Sequence, residues 1–182
     1  VNVITTDARI PRELWPTCSR VRDSVREFCE SSSEADILLL FFAGHGFALD
    51  DGPRLCLCDT EREKLAETSI SLSELARMMG TARARHKVLV LDACRDSLPD
   101  DLTSAASKIV GLFDGHRDLH IITSCGADEK AEELFERKHG RFAYFLIQGL
   151  DDSAAAGGQI RLQHLLEYAA DRTRMDFQGR QN

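Results

Sequence analysis

Ile37-Leu38-Leu39-Leu40-Phe41-Phe42-Ala43-Gly44-His45-Gly46 and Lys87-Val88-Leu89-Val90-Leu91-Asp92-Ala93-Cys94-Arg95-Asp96 are the two stretches that decide the fold. Each is an apolar run that stops abruptly at a reactive residue. A continuous apolar run of this length, bounded by turn signals, reads as a strand buried on both faces, as in a parallel sheet. In open parallel α/β sheets, sites lie just beyond the carboxyl ends of the strands. His45 and Cys94 both fall there. If the two strands are neighbours, an imidazole and a thiol meet at one sheet edge.

That pair is the minimum machinery of a cysteine hydrolase. An unperturbed thiol is only a few per cent thiolate at neutral pH. A nearby imidazole can take its proton or carry it to a leaving amine. Gly44 and Gly46 flank the histidine and let a substrate backbone approach closely. The amides of Gly46 and Cys94 could form an oxyanion hole. Taken singly, the cysteine reads as a small buried hydrophobe and the histidine as an ordinary polar group. Both at strand ends, with glycines around one, favour the chemical reading. A metal hydrolase built on His45, His86, His116 or His120 lacks any recognised ligand spacing, so no metal is assigned.

Ala43-Gly44-His45-Gly46 followed by Asp92-Ala93-Cys94-Arg95-Asp96, with the histidine about 50 residues before the cysteine, resembles the caspase-type cysteine peptidases. The metacaspases, paracaspases and bacterial caspase-like proteins are the nearest in pattern, and the resemblance covers most of the chain. It implies an α/β fold: a caspase-like three-layer sandwich, with a mostly parallel central sheet of about six strands and helices on both faces. It also implies a cysteine endopeptidase working through a Cys94–His45 dyad and an acyl-enzyme intermediate. Caspases proper carry Gln two residues before the nucleophile. Here that residue is Asp92, and an acid on a pocket floor would pair with Arg or Lys in the substrate. This departure points to the metacaspases and paracaspases, which cleave after basic residues. Asp128, Glu132 and Glu133 are further candidates for the same pocket, with the choice among them open. The competing reading of Asp92 is a helix cap or a solvated strand end.

The resemblance carries three further expectations. The chain forms one catalytic domain over residues 1–182, lacking the first strand and helix of the family's fold. Its partners are a protein or peptide substrate with Arg or Lys before the scissile bond, and a regulatory domain or a processed N-terminal chain. No cofactor is required by the sequence, although calcium stays open because some metacaspases need it. The competing reading is a catalytically silent caspase-like module that docks or dimerises.

Composition narrows the class. A chain of 182 residues with 43% hydrophobic and 29% charged residues suits one soluble domain with a sizeable core. A net charge of −7 argues against nucleic-acid binding. No apolar run approaches the roughly 20 residues of a membrane helix, and no signal peptide is evident. Six cysteines without framework spacing read as reduced thiols of a cytoplasmic protein. Cys56-Leu57-Cys58 would place two thiols on one strand face, a weak metal signal without a second ligand pair.

Elsewhere the pattern gives supporting elements. A short strand is expected at Val1–Thr5. A helix starts at the cap Thr17 with an apolar stripe of Val21, Val25 and Phe28, and ends at Ser31. Phe47 to Pro53 reads as a loop, Arg54–Cys58 as a strand, and Asp59 to Glu67 as an exposed charged loop. Ser71 and Glu74 stand in capping-box register for a helix closed by Gly80. Leu119–Ser124 is a buried strand, and Gly140 opens an apolar helix. Ile160, Leu162, Leu165, Leu166 and Tyr168 mark the last helix.

Overall fold

The computed structural model describes residues 4–6, 9–94, 118–123, 133–134, 139–150 and 161–179. The elements run α1 (Cys18–Glu30), β1 (Ile37–Leu49), β2 (Gly52–Cys56), β3 (Ser69–Ser71), α2 (Leu72–Gly80), β4 (His86–Cys94) and β5 (Leu119–Thr123). They continue with β6 (Glu133–Leu134), β7 (His139–Gly140), α3 (Arg141–Gln148) and α4 (Leu162–Gly179). One sheet holds five strands in the order β3-β2-β1-β4-β5, and β6 pairs with β7 separately. β1, β4 and β5 are parallel, and β2 alone runs against the rest. The mostly parallel sheet agrees with expectation, with five strands rather than six among the described residues. Residues 4–6 carry no strand, and Val1–Val3 lie outside the described residues.

α1 and α2 start where their orphan amides find an acceptor. At α1, Thr17 Oγ1 accepts from the Arg20 amide (3.3 Å), and Asp59 takes the Cys18 amide (2.9 Å) from 41 residues away. At α2, Ser71 Oγ accepts from the Glu74 amide (3.1 Å). The reciprocal half of the expected capping box is not made. The Glu74 carboxylate goes instead to Arg22 of α1 at 2.8 Å, tying the two helices together. Gly80 does not close α2 in a left-handed turn. The helix ends at Thr81, in the right-handed region, whose hydroxyl bonds the Met78 carbonyl (2.7 Å).

Two strand boundaries differ from the sequence reading. β1 does not stop at Gly46, because Gly46–Leu49 pair with Gly52–Leu55 of β2 and continue the strand into a hairpin. Asp50-Asp51 form its turn, Gly52 follows at a positive φ of 121°, and Asp51 pairs with the buried Arg54 (2.8 Å). β2 ends at Cys56 rather than Cys58. Leu57 enters a turn in which its amide donates to Thr60 Oγ1 (2.8 Å), so Cys56 and Cys58 share no strand face.

The sheet divides two cores. On one face, Leu38, Leu55, Ile70, Leu89 and Leu91 pack with Val25 and Cys29 of α1 and Leu72, Leu75 and Met79 of α2. On the other, Val88, Val90 and Ile122 pack with Phe142 and Leu146 of α3 and Leu165 and Ala169 of α4. This is the expected three-layer sandwich. β1, however, is buried on one face only. Leu38 is 2% exposed, whereas Ile37, Leu39 and Phe41 are 69%, 42% and 38% exposed. Hence α3 and α4 cover β4 and β5, and leave this face of β1 open to solvent.

Candidate active site

β1 changes partner within two residues. Ile37–His45 pair with His86–Cys94 of β4, and Gly46–Leu49 pair with β2. The last parallel pair is His45 with Cys94. Neighbouring strands lie about 4.8 Å apart, so these two residues are direct neighbours. Register partners share a face. Positions 41, 43 and 45 of β1 therefore stand on the face of positions 90 and 92 of β4, the side that α3 and α4 pack against. His45 is exposed there, and Gly46 follows where the hairpin leaves the parallel sheet. His45 is thus in backbone register with Cys94 at the carboxyl end of β4, the edge where sites of parallel α/β sheets lie.

Asp92 pairs with Ala43, one pleat below this couple. Asp92 is only 6% exposed, and its Oδ2 accepts from the Ala143 amide at 3.3 Å. Ala143 is the third residue of α3, so the carboxylate caps a helix that begins 49 residues downstream of it, well beyond local reach. Gly140 at the start of α3 has no side chain to do so. A carboxylate also complements the positive end of the helix dipole. The helix-cap alternative for Asp92 is thus realised, on a helix distant in sequence. Glu133 of β6 pairs through its backbone with Gly140, the residue packed on the Asp92 carboxylate. Asp128 and Glu132 lie outside the described residues.

Two features of this end escaped the sequence reading. Gly140 is a contact residue for Asp92, whereas its sequence signal was only that of a turn. Arg141, first in α3, is buried, and its Nε lies 3.4 Å from Asp176 Oδ2 of α4, which fastens the two helices beside Asp92. A polar residue at the head of an apolar helix was the available signal.

Burial pushes Cys18, Cys29, Cys56 and Cys58 above the ordinary thiol value, with nearby Asp59 adding to the effect at Cys18 and Cys58. All four are free. Among the described residues no group of three or more His, Cys, Asp or Glu is placed to hold a metal, and no helix is long and apolar enough to cross a membrane.

Comparison with known proteins agrees with this fold. The crystal structure of protein GSU0716 from Geobacter sulfurreducens is similar over 86% of this chain and 69% of its own, with a TM-score of 0.59 and 15% identity. At that identity the likeness concerns the fold. No curated protein matches the chain. The family model described as the caspase domain matches residues 5–181, so the chain belongs to the caspase-domain family of cysteine peptidases.

Proposed function

We propose that the protein is a cysteine endopeptidase that cleaves after Arg or Lys. The observation that carries this reading is the register of His45 with Cys94 on adjacent parallel strands. In the proposed reaction Cys94 Sγ adds to the scissile carbonyl carbon while His45 takes the thiol proton. The Gly46 and Cys94 amides hold the developing oxyanion. The C–N bond then breaks, His45 returns the proton to the leaving amine, and a thioester remains. Water, deprotonated by His45, attacks the thioester and restores the thiol. Asp92 takes the guanidinium or ammonium of the substrate residue before the scissile bond, with Glu133 and the acids Asp128 and Glu132 as further candidates for that pocket.

The test is mass spectrometry after incubation with a peptide chloromethyl ketone bearing Arg, in parallel with one bearing Asp, with and without calcium. The thiolate displaces chloride, so capture adds the peptidyl methyl ketone to Cys94. Capture by the Arg reagent alone is expected, and Cys94→Ala removes it. Capture by the Asp reagent alone would overturn the basic specificity and leave the peptidase. No capture under any condition would favour the silent interaction module.

A further inference from the structure

We propose that Gly140 and the first-turn amide of α3 are positioning groups for Asp92. They fix the carboxylate in the orientation in which it receives the basic side chain of the substrate. This rests on the peptidase reading above and adds to it a residue with no chemistry of its own. Gly140 has φ −56° and ψ 146°, a conformation open to any residue, so its backbone gives no reason for glycine. The reason is contact. An ideal Cβ at position 140 would lie 2.2 Å from Asp92 Oδ2 and 3.0 Å from Cγ. To make room, the Asp92 carboxylate or the Gly140 backbone would have to shift. Gly140 is held by its pairing with Glu133, and Asp92 is a short side chain, 6% exposed and bonded to the Ala143 amide. Position 140 therefore lets β4 and the head of α3 approach until the carboxylate reaches the helix amide. Two-point recognition of a guanidinium needs a carboxylate of fixed orientation, and this junction fixes it.

Gly140→Ala separates the proposal from a general packing role, because its effect must depend on Asp92. Thermal unfolding of the wild type, Gly140→Ala, Asp92→Ala and the double variant forms the cycle. The expected result is a fall of about 5 °C for Gly140→Ala when Asp92 is present. In the Asp92→Ala background the fall disappears or becomes a small rise, since alanine then only narrows the unfolded ensemble. An equal fall in both backgrounds would overturn the proposal. The functional arm compares Cys94 capture by the Arg chloromethyl ketone and by iodoacetamide, which needs no acid. Gly140→Ala should slow the Arg reagent by about tenfold, the size of one displaced charged contact, and leave the iodoacetamide rate within about twofold. Unchanged capture of both reagents, or an equal loss of both, would also overturn it. A wild type that the Arg reagent never labels would sink the peptidase reading instead, and the unfolding cycle would still decide whether Gly140 positions Asp92.

Discussion

His45 is the residue at which β1 exchanges one neighbour for another, and its exposed ring stands in register with Cys94. If the two form the dyad, His45→Ala removes the proton carrier without touching the nucleophile. Turnover of a fluorogenic Arg peptide should fall by about 10²- to 10⁴-fold, and Cys94→Ala should abolish it. A His45→Ala enzyme within tenfold of wild type would rule the histidine out. Asp92 permits a finer test because its helix cap and its proposed substrate contact respond differently to substitution. Asn caps a helix about as well as Asp, so Asp92→Asn should keep most of the stability that Asp92→Ala loses, about 1 kcal/mol. The same Asn carries no charge and should lose capture by the Arg reagent. Retained capture in Asp92→Asn would assign Asp92 to the fold alone. The juxtaposition of His45 and Cys94 was legible in the sequence because each residue ends an apolar run, a local signal. The cap that Asp59 gives to α1, and which helix Asp92 caps, were not. Such contacts join positions 40 or more residues apart, and no periodicity records them.

At the scale of elements, the local caps were legible and the strand faces were not. Thr17 and Ser71 start their helices as their positions imply, because donor and acceptor lie within three residues of each other. The run from Ile37 to Ala43 is apolar at every position, which conceals alternation, and burial depends on helices elsewhere in the chain. Even positions meet α1 and α2, whereas odd positions face solvent beside α3 and α4. Adjacent residues of one strand should therefore differ sharply in denaturant unfolding. Leu38→Ala, at a site 2% exposed, should cost about 2–5 kcal/mol, and Ile37→Ala, at a site 69% exposed, about 0.5 kcal/mol. Similar costs at both sites would mean that the open face of β1 is covered in solution. The Arg22–Glu74 pair belongs to this scale too. It is about one quarter exposed, so Glu74→Gln should cost only about 1 kcal/mol, read from the same unfolding curves.

Across the whole molecule, β4 sends Leu89 and Leu91 into one core and Val88 and Val90 into the other, and so carries Cys94 on the strand with the firmest support from both sides. The layers nevertheless differ in chemistry. Cys18 and Cys29 are 5% and 2% exposed within the core between the sheet and α1–α2, and burial holds both thiols above the ordinary value. The sign follows directly. Below the ordinary thiol value both folded and unfolded chains keep these groups neutral, so stability is unaffected. As pH rises past it, the unfolded chain ionises while the folded chain resists, and stability is lost up to the raised folded value. The thermal midpoint should thus hold between pH 7 and about 8.5 and decline above that. Part of the decline belongs to other groups, so the comparison that decides is with the Cys18→Ala, Cys29→Ala double variant. It starts from a lower midpoint, because two buried side chains are trimmed, but its alkaline decline should be shallower. Parallel declines in the two proteins would show that these thiols ionise as freely in the fold as out of it, and that the α1–α2 layer admits water where the structure packs it closed.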